Sequence, residues 1–350
     1  MVQAMSLFNQ LLQHLPSLEF AALTKKHSAE RAAKGFSCRT QLVAMLFCQL
    51  AHADSLREIC NGLACCLGKL VHLGIGVAPN KSSLAYANKH RPAKLYEELF
   101  YTALARFRDE KGLGLRKQKF RFKNKLLSLD STTISLCLEM FPWGKFRRAK
   151  GGVEAHVLLD HDNYLPRYVL ITEASRSDVK MADAFPLNPG SIVVMDRGYN
   201  DYALFGNWTA RESYFVTRLK DNAAYEVVEE CAVPENRNIQ SDQLIRFTAE
   251  KAQKDCPCLL RRVALWDAVN EREIVLLTNL LEFGPTTIAA IYQDRWEVEL
   301  FFETSTWCTP LDVMKFQGLI ALNRQLVGSL DGFVRPRIFR RRRCAVSRVH

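Results

Sequence analysis

The stretch KLLSLDSTTISL, residues 125–136, marks the point where the sequence pattern changes from helix to strand. Its short apolar run ends in Asp130, and a second apolar run, SIVVMD at 191–196, ends in Asp196. Short apolar runs of this kind predict buried strands. We therefore expect two strands that each end in an aspartate.

The segments around these runs predict the fold class. Strand-like segments at 125–136, 152–162 and 165–174 come first, followed by a helix at about 178–186, the strand SIVVMD, a helix from Asp201 to about Glu212 and the strand 213–219. Three strands and then alternating helix and strand predict an α/β protein with a ribonuclease H-like mixed sheet covered by helices on both faces. Residues 222–282 favour strands again, and we interpret them as a β-rich insertion within a catalytic domain at 125–302.

Residues 1–115 have the pattern of an all-helical N-terminal domain, with apolar positions three and four residues apart. The segment APNKSS breaks the chain before a short basic helix, SLAYANKHRP. Helix, turn and basic helix suit DNA binding, with Lys81, Lys89, His90 and Arg91 as candidate contacts. A plain helical bundle explains the same pattern.

The net charge of +11 is unevenly divided along the chain. Residues 1–124 carry +11, residues 125–334 carry −7 and residues 335–350 carry +7. A basic front part can neutralise phosphates, while the acidic part contains the candidate metal ligands. The segment 116–124 reads as a basic linker between the two.

A third acidic residue lies in IYQDRWEVELFF, residues 291–302. Tyr292, Arg295 and Glu299 are spaced by three and four, so they share one face of a predicted helix that begins near Pro285. Carboxylates from two strand ends and a helix suit two Mg²⁺ ions, for which Mn²⁺ can substitute, because hard cations take oxygen ligands. Asp130, Asp196 and Glu299 are therefore the predicted metal ligands and catalytic residues.

These motifs resemble the bacterial DDE transposases of the insertion-sequence-four family, over about residues 120–302. LLSLDSTTI looks like the first acidic motif, VVMDRGYND like the second, and Tyr292, Arg295 and Glu299 like the start of the family's Tyr-Arg-Glu-Lys signature. The resemblance implies cleavage of double-stranded DNA at transposon ends, a hairpin on each end, and transfer into target DNA by a homodimer. It also implies that Asp130 bridges both ions, that Asp196 and Glu299 each hold one, and that Arg295 and Tyr292 hold a phosphate near a flipped nucleotide. Arg197 is a further candidate DNA contact, or it pairs with a neighbouring carboxylate.

The sequence departs from the family after Phe302. The signature's Lys is expected seven residues past Glu299, where this chain has Thr306, and residues 303–350 form an aberrant Arg-rich tail. We interpret this change as a frameshift, which leaves open whether the chain is active. Two alternatives stay open: a non-catalytic DNA-binding remnant that occupies inverted repeats, and a nuclease for RNA–DNA hybrids.

Other features of the sequence bound the location of the protein. No apolar run approaches the roughly 20 residues needed to span a bilayer, and the first residues lack the pattern of a signal peptide. The eleven cysteines include Cys256-Pro257-Cys258 but no paired C-x-x-C motifs for zinc. We expect a cytoplasmic protein with reduced cysteines and no membrane partner.

Overall fold

The computed structural model describes residues 7–306, apart from residues 32, 34, 52, 54, 67, 110–118, 137–144, 148–149, 174–180 and 236–237. The chain divides into two compact units. The first takes in the described residues within 1–114, within 134–153 and from 301 onward, and the second comprises those within 115–133 and 154–300.

The N-terminal part of the first unit is helical, as the spacing of apolar residues predicts. Its helices are α1 Leu7–Gln13, α2 Ser17–Lys26, α3 Cys38–Leu50, α4 Leu56–Ala64, α5 Lys81–His90 and α6 Ala93–Asp109, with a 3₁₀ turn at Leu70–Leu73. Polar side chains begin several of them: Ser55 accepts a hydrogen bond from the backbone N–H of Glu58, and Asn80 accepts one from Ser83. No helix in the described part of the chain is long and apolar enough to cross a membrane.

One mixed sheet dominates the rest of the described chain. Its strands are β1 Leu126–Leu136, β2 Lys145–Arg147, β3 Lys150–Asp160, β4 Pro166–Glu173, β5 Ile192–Met195, β6 Tyr214–Arg218, β7 Tyr225–Glu230, β8 Ile239–Phe247, β9 Leu260–Asp267 and β10 Arg272–Thr278. They follow the order β2-β3-β1-β5-β6-β10-β9-β8-β7, and β4 pairs with β3. The expected mixed α/β architecture with a helical N-terminal region is confirmed.

Helices complete the second unit. They are α7 Tyr202–Ala210, α8 Glu250–Asp255, α9 Pro285–Gln293 and α10 Trp296–Thr306, the last of which runs on into the first unit, and a 3₁₀ turn lies at Arg197–Tyr199. The helix expected at about 178–186 is described only from residue 181, where two helical residues precede a turn.

Alternating side chains give the sheet two apolar faces. Leu127, Val193 and Phe215 belong to one buried cluster, which Phe205 of α7 also joins. Leu126 belongs to the opposite cluster, which is completed by residues of α9. Because successive strand residues point to opposite faces, short runs that are apolar at every position bury both faces.

The strands within 222–282, where we expect a β-rich insertion, all belong to the same sheet. β10 pairs in antiparallel fashion with β6, and β9, β8 and β7 follow outward from it. The insertion therefore extends the central sheet. The edge of β6 carries backbone donors and acceptors that need partners, and β10 supplies them.

The contact between α7 and α8 yields a prediction about stability. A Cβ atom placed on Gly206 would lie 2.1 Å from the carbonyl oxygen of Asp255, a distance that requires the backbone to shift. We expect Gly206→Ala to lower the free energy of unfolding by about 1–3 kcal/mol, the usual cost of overpacking. Gly284→Ala is the matched control, because a Cβ there meets no atom within 4 Å. Equal urea midpoints for the two variants would show that the helices do not pack as described.

Candidate active site

The parallel pairing of β1 and β5 places Asp130 next to Asp196. The register joins Leu129 to Met195, so the residue that follows on each strand is an aspartate. Neighbouring strands lie about 4.8 Å apart. By alternation Asp130 shares the sheet face of Leu126, which is the face that α9 covers. Asp130 lies inside β1 and does not end it, since the strand continues to Leu136.

Arg295 joins the third acidic residue to this pair. One of its nitrogens, Nη2, lies 2.6 Å from Oε1 of Glu299, and the other, Nη1, lies 3.8 Å from Oδ2 of Asp130. The guanidinium carbon is 5.9 Å from the centre of the Tyr292 ring and 5.8 Å from that of Trp296. A single, largely buried cation thus contacts carboxylates from β1 and α10.

The electrostatic environment of Asp130 favours its protonated form. The pKa of this carboxyl is raised from 3.8 to about 6, mainly by burial, and the charges of Glu299 and Asp196 act in the same direction. The backbone N–H of Ser131, which donates to Oδ1 at 2.8 Å, and the charge of Arg295 act in the opposite direction. The site therefore holds more negative charge than its environment stabilises.

The neighbouring groups respond to the same charges. The pKa of Tyr292 is raised, mainly by burial and then by the charge of Asp196, while Arg295 and Arg218 lower it. Burial lowers the pKa of Arg295, but the hydrogen bond and charge of Glu299 outweigh burial, and the net pKa is raised. Tyr292 is thus a neutral donor and Arg295 a permanent cation.

The helix predicted from Pro285 to Phe302 is interrupted. α9 ends at Gln293 and α10 begins at Trp296, so Tyr292, Arg295 and Glu299 come from a helix, a turn and a second helix. The backbone N–H of Arg295 donates to the carbonyl of Tyr292, and that of Val298 donates to Arg295, both three residues back. This tighter pattern replaces the α-helical one at the break.

Two polar contacts near this turn were not anticipated. Lys119 lies 2.5 Å from the buried carboxylate of Asp294, and Ser128 is 2.6 Å from Nε2 of His161. Burial lowers the pKa of His161 to about 4, so the ring is neutral. The sequence shows Lys119 within a basic run and Ser128 within a strand. No local pattern predicts that they pair with Asp294 and His161, which lie far along the chain.

The remaining DNA-contact candidates fall into two groups. Lys81, Lys89 and His90 are exposed on α5, and the exposed Arg197 lies 4.0 Å from Asp221. Arg91, in contrast, is buried. Its guanidinium donates to the backbone carbonyls of Phe36 and Ser37, just before α3, and to Oε1 of Gln41. Because the guanidinium of Arg91 is buried and its donors are already taken, it is poorly placed to contact DNA.

The donor set of Asp130, Asp196 and Glu299 has the chemistry that Mg²⁺ requires, since all its ligand atoms are carboxylate oxygens. Among the residues that the structure describes, however, no group of three or more His, Cys, Asp or Glu side chains is arranged to hold a metal ion. Arg295 stands between two of the three carboxylates. The residues suit the ion in chemistry and location, but Arg295 and the carboxylates must rearrange to hold it.

Two protein-family models match parts of this chain. The model of the transposase DDE domain matches residues 121–319, which is more than half of the chain and includes all three acidic residues. The chain belongs to the DDE transposases. A second model, a domain of unknown function (DUF4372), matches residues 3–76 of the helical part. The DDE match continues past Phe302 into residues that the structure does not describe, so the expectation of an aberrant tail stays a prediction.

Individual relatives of this DDE transposase carry similar descriptions. A putative transposase of Sinorhizobium fredii, y4zB, is 31% identical over 65% of this chain and 62% of its own length. A probable transposase for the insertion sequence element IS5377 of Geobacillus stearothermophilus is 30% identical over 53% of this chain and 49% of its own. The chain thus spans about half to three fifths of these relatives.

One solved structure is also similar in outline. The piggyBac transposase in a synaptic complex with hairpin DNA aligns with 97% of this chain and 82% of its own, at a TM-score of 0.42 and 9% identity. A likeness at this level does not establish a shared fold.

The raised pKa of Asp130 predicts that the cluster of Asp130, Asp196 and Glu299 weakens the fold. The folded state binds this proton more tightly than the unfolded state, so its contribution to stability is lost as the pH rises from about 4 through 6. At pH 7.5 without divalent ions, Asp130→Asn should therefore raise the free energy of unfolding by about 2 kcal/mol. This is somewhat less than the free energy that corresponds to the full pKa shift, because Arg295 loses a partner. At pH 4 the two proteins should differ little.

Chemical denaturation at both pH values measures this difference. Asp183→Asn is the control, because Asp183 is an exposed carboxylate paired only with Arg211 at 3.3 Å in the contacts described. Added Mg²⁺ or Mn²⁺ should raise the melting temperature of the unaltered protein and of the control but not of Asp130→Asn. A less stable Asp130→Asn protein at pH 7.5 would contradict the electrostatic argument.

The burial of Arg91 gives a second prediction for a matched pair of basic residues. Arg91→Met removes a donor from the buried side chain of Gln41 and from the half-buried carbonyls of Phe36 and Ser37, and it should lower the free energy of unfolding by about 3 kcal/mol. Lys89→Met, at an exposed position on α5, should change it by less than about 0.5 kcal/mol. Urea titration of both variants measures the difference, and comparable losses would argue that Arg91 is not buried as described.

Proposed function

We propose that this chain is a DNA transposase in which Asp130, Asp196 and Glu299 are the catalytic carboxylates for cut-and-paste cleavage and strand transfer with two Mg²⁺ ions. The observation that carries the proposal is the β1 and β5 register, which puts Asp130 beside Asp196 on the face covered by α9, with Glu299 linked to Asp130 through Arg295. Divalent ions, when bound, activate the attacking oxygen and stabilise the leaving one.

The protein's own groups would prepare this site in distinct ways. The backbone N–H of Ser131 orients the carboxylate of Asp130, and Glu299 comes from the first turn of α10. The guanidinium carbon of Arg295 lies 5.9 Å from the ring centre of Tyr292 and 5.8 Å from that of Trp296. In the resting site Arg295 offsets part of the negative charge of Asp130 and Glu299. On loading it would release them and turn its planar donors toward a DNA phosphate.

We also assign the second unit to the ribonuclease H-like class. In support, β4, β3 and β1 are neighbours in the sheet, and β5 and β6 follow in parallel with β1. The acidic residues lie on β1 and directly after β5, the first and fourth of these five strands.

Double-stranded DNA is the proposed partner, both as transposon end and as target. Lys81, Lys89 and His90 are exposed on α5, where they could neutralise phosphates. Arg197 follows Asp196 at the proposed catalytic site, and it too is exposed. A homodimer on paired ends remains a prediction.

The experiment is a cleavage assay on a duplex that carries the transposon end of this element. With Mg²⁺ or Mn²⁺ we expect nicking followed by a hairpin product. Asp130→Ala, Asp196→Ala and Glu299→Ala should each lower the rate about a thousandfold or more, because metal-held charge stabilisation contributes several kcal/mol. Asp183→Ala, an exposed carboxylate, is the matched control and should retain the rate.

Other outcomes separate the competing functions. Tight binding to the end duplex without cutting by any protein would favour a non-catalytic remnant that occupies inverted repeats. Cleavage of RNA–DNA hybrids without preference for the end would favour a simple nuclease. Cutting that survives all three substitutions would place the reaction elsewhere in the molecule.

A further inference from the structure

Two cysteines outside the proposed catalytic site lie close together at the end of α8. Cys256 follows the helix, and its backbone N–H donates to the carbonyl of Ala252 at 2.8 Å. Its side chain is fully buried, whereas Cys258 is partly exposed and Pro257, between them, is exposed. The pair therefore has one inner sulfur and one that reagents can reach.

The two sulfurs are in contact. Sγ of Cys256 and Sγ of Cys258 are 3.1 Å apart, and a disulfide bond needs about 2.05 Å, so the atoms must approach by about 1 Å. Both residues lie in one short connection between α8 and β9. Bond formation therefore requires a local adjustment of this connection and no movement of a distant element.

The surroundings favour a thiolate on the outer cysteine. The hydrogen bond from Cys256 lowers the pKa of Cys258, and Oγ1 of Thr209, at 3.8 Å, acts in the same direction, while burial opposes them. The same hydrogen bond and burial raise the pKa of Cys256. The inner sulfur thus keeps the proton and the outer one is the better nucleophile.

We propose that Cys256 and Cys258 form a redox-active dithiol that small-molecule disulfides, such as oxidised glutathione, convert reversibly into an intramolecular disulfide. The thiolate of Cys258 attacks one sulfur of the small disulfide, whose S–S bond breaks and releases one thiolate. Cys256 gives its proton to that thiolate and attacks Sγ of Cys258, which releases the second thiolate. This second thiolate takes from solvent the proton that Cys258 had lost on ionising. The two protein thiols are oxidised, and the small disulfide is reduced to two thiols.

The short spacing makes this disulfide easy to reduce. A bond that closes over a single intervening residue is strained, and strained or exposed disulfides have more oxidising potentials. The connection also packs closely against α7, because the backbone of Asp255 lies so near Gly206 that a Cβ there would be 2.1 Å from the Asp255 carbonyl oxygen. A thiol such as reduced glutathione therefore reduces the disulfide back to the two cysteine thiols.

The first test oxidises the reduced full-length chain with oxidised glutathione and maps peptides by mass. We expect a peptide that has lost two hydrogens and joins Cys256 to Cys258, and its reversal by reduced glutathione. Cys256→Ser should stop at a glutathione adduct on Cys258, and Cys258→Ser should leave Cys256 unmodified. The control is Cys65→Ser combined with Cys66→Ser, which removes the other close pair in the sequence and should not change the result.

The second test separates a reactive pair from a merely structural one. The rate of alkylation of Cys258 should reach half its maximum at a pH well below that of the exposed Cys65, and Cys256→Ala should move this midpoint up toward that of Cys65. Circular dichroism confirms that each variant is folded before it is used. Identical pH profiles for Cys258 and Cys65, or oxidation that leaves residues 256 and 258 reduced, would overturn the proposal.

Discussion

The parallel register of β1 and β5 is the constraint on which the rest of the site depends. It puts two aspartates next to each other at about the spacing of neighbouring strands, where like charges repel each other. Backbone hydrogen bonds along the strands hold the pair in place, and the buried residues on both sheet faces prevent a slip, because a shift by one residue would turn Leu127 and Val193 to the wrong face. The fold thus stores an electrostatic cost at the place where the proposed chemistry needs negative charge.

Arg295 offsets that cost in the resting site. It reaches Glu299 at 2.6 Å and Asp130 at 3.8 Å from a turn, and a turn can change its backbone geometry with less disruption than the middle of a helix. An uninterrupted helix would fix the direction of Arg295 relative to Tyr292 and Glu299. The break between α9 and α10 therefore matters for function, because a cation that must leave two carboxylates and face a phosphate needs a position that can move. The attraction to Asp130, across 3.8 Å, is the weaker of its two contacts.

The sequence indicated the parts of this structure that depend on local pattern. Apolar runs located β1 and β5, helical spacing predicted the helical N-terminal part, and the break at APNKSS indicated the basic helix α5. What it could not indicate depends on contacts between distant residues. The sequence predicted strands within the insertion at 222–282 but gave no sign of the pairing of β10 with β6, which joins them to the central sheet. Arg91 looked like a DNA contact because a basic residue after a basic helix gives no local sign of burial. Its donors are taken by the backbone carbonyls of Phe36 and Ser37, more than fifty positions away in the sequence.

Two polar contacts near the turn between α9 and α10, Ser128 with His161 and Lys119 with Asp294, affect the charge beside Asp130. His161 is near the charges of Asp294, Asp160 and Asp162, which would favour an imidazolium, but burial outweighs them and the ring stays neutral. Its hydrogen bond with Ser128, on the same strand face as Asp130, therefore adds rigidity without adding positive charge. Lys119 forms an ion pair with the carboxylate of Asp294. Arg295 is thereby left to supply the positive charge beside Asp130, and the charge of the site can be changed by moving this one side chain while its supports stay in place.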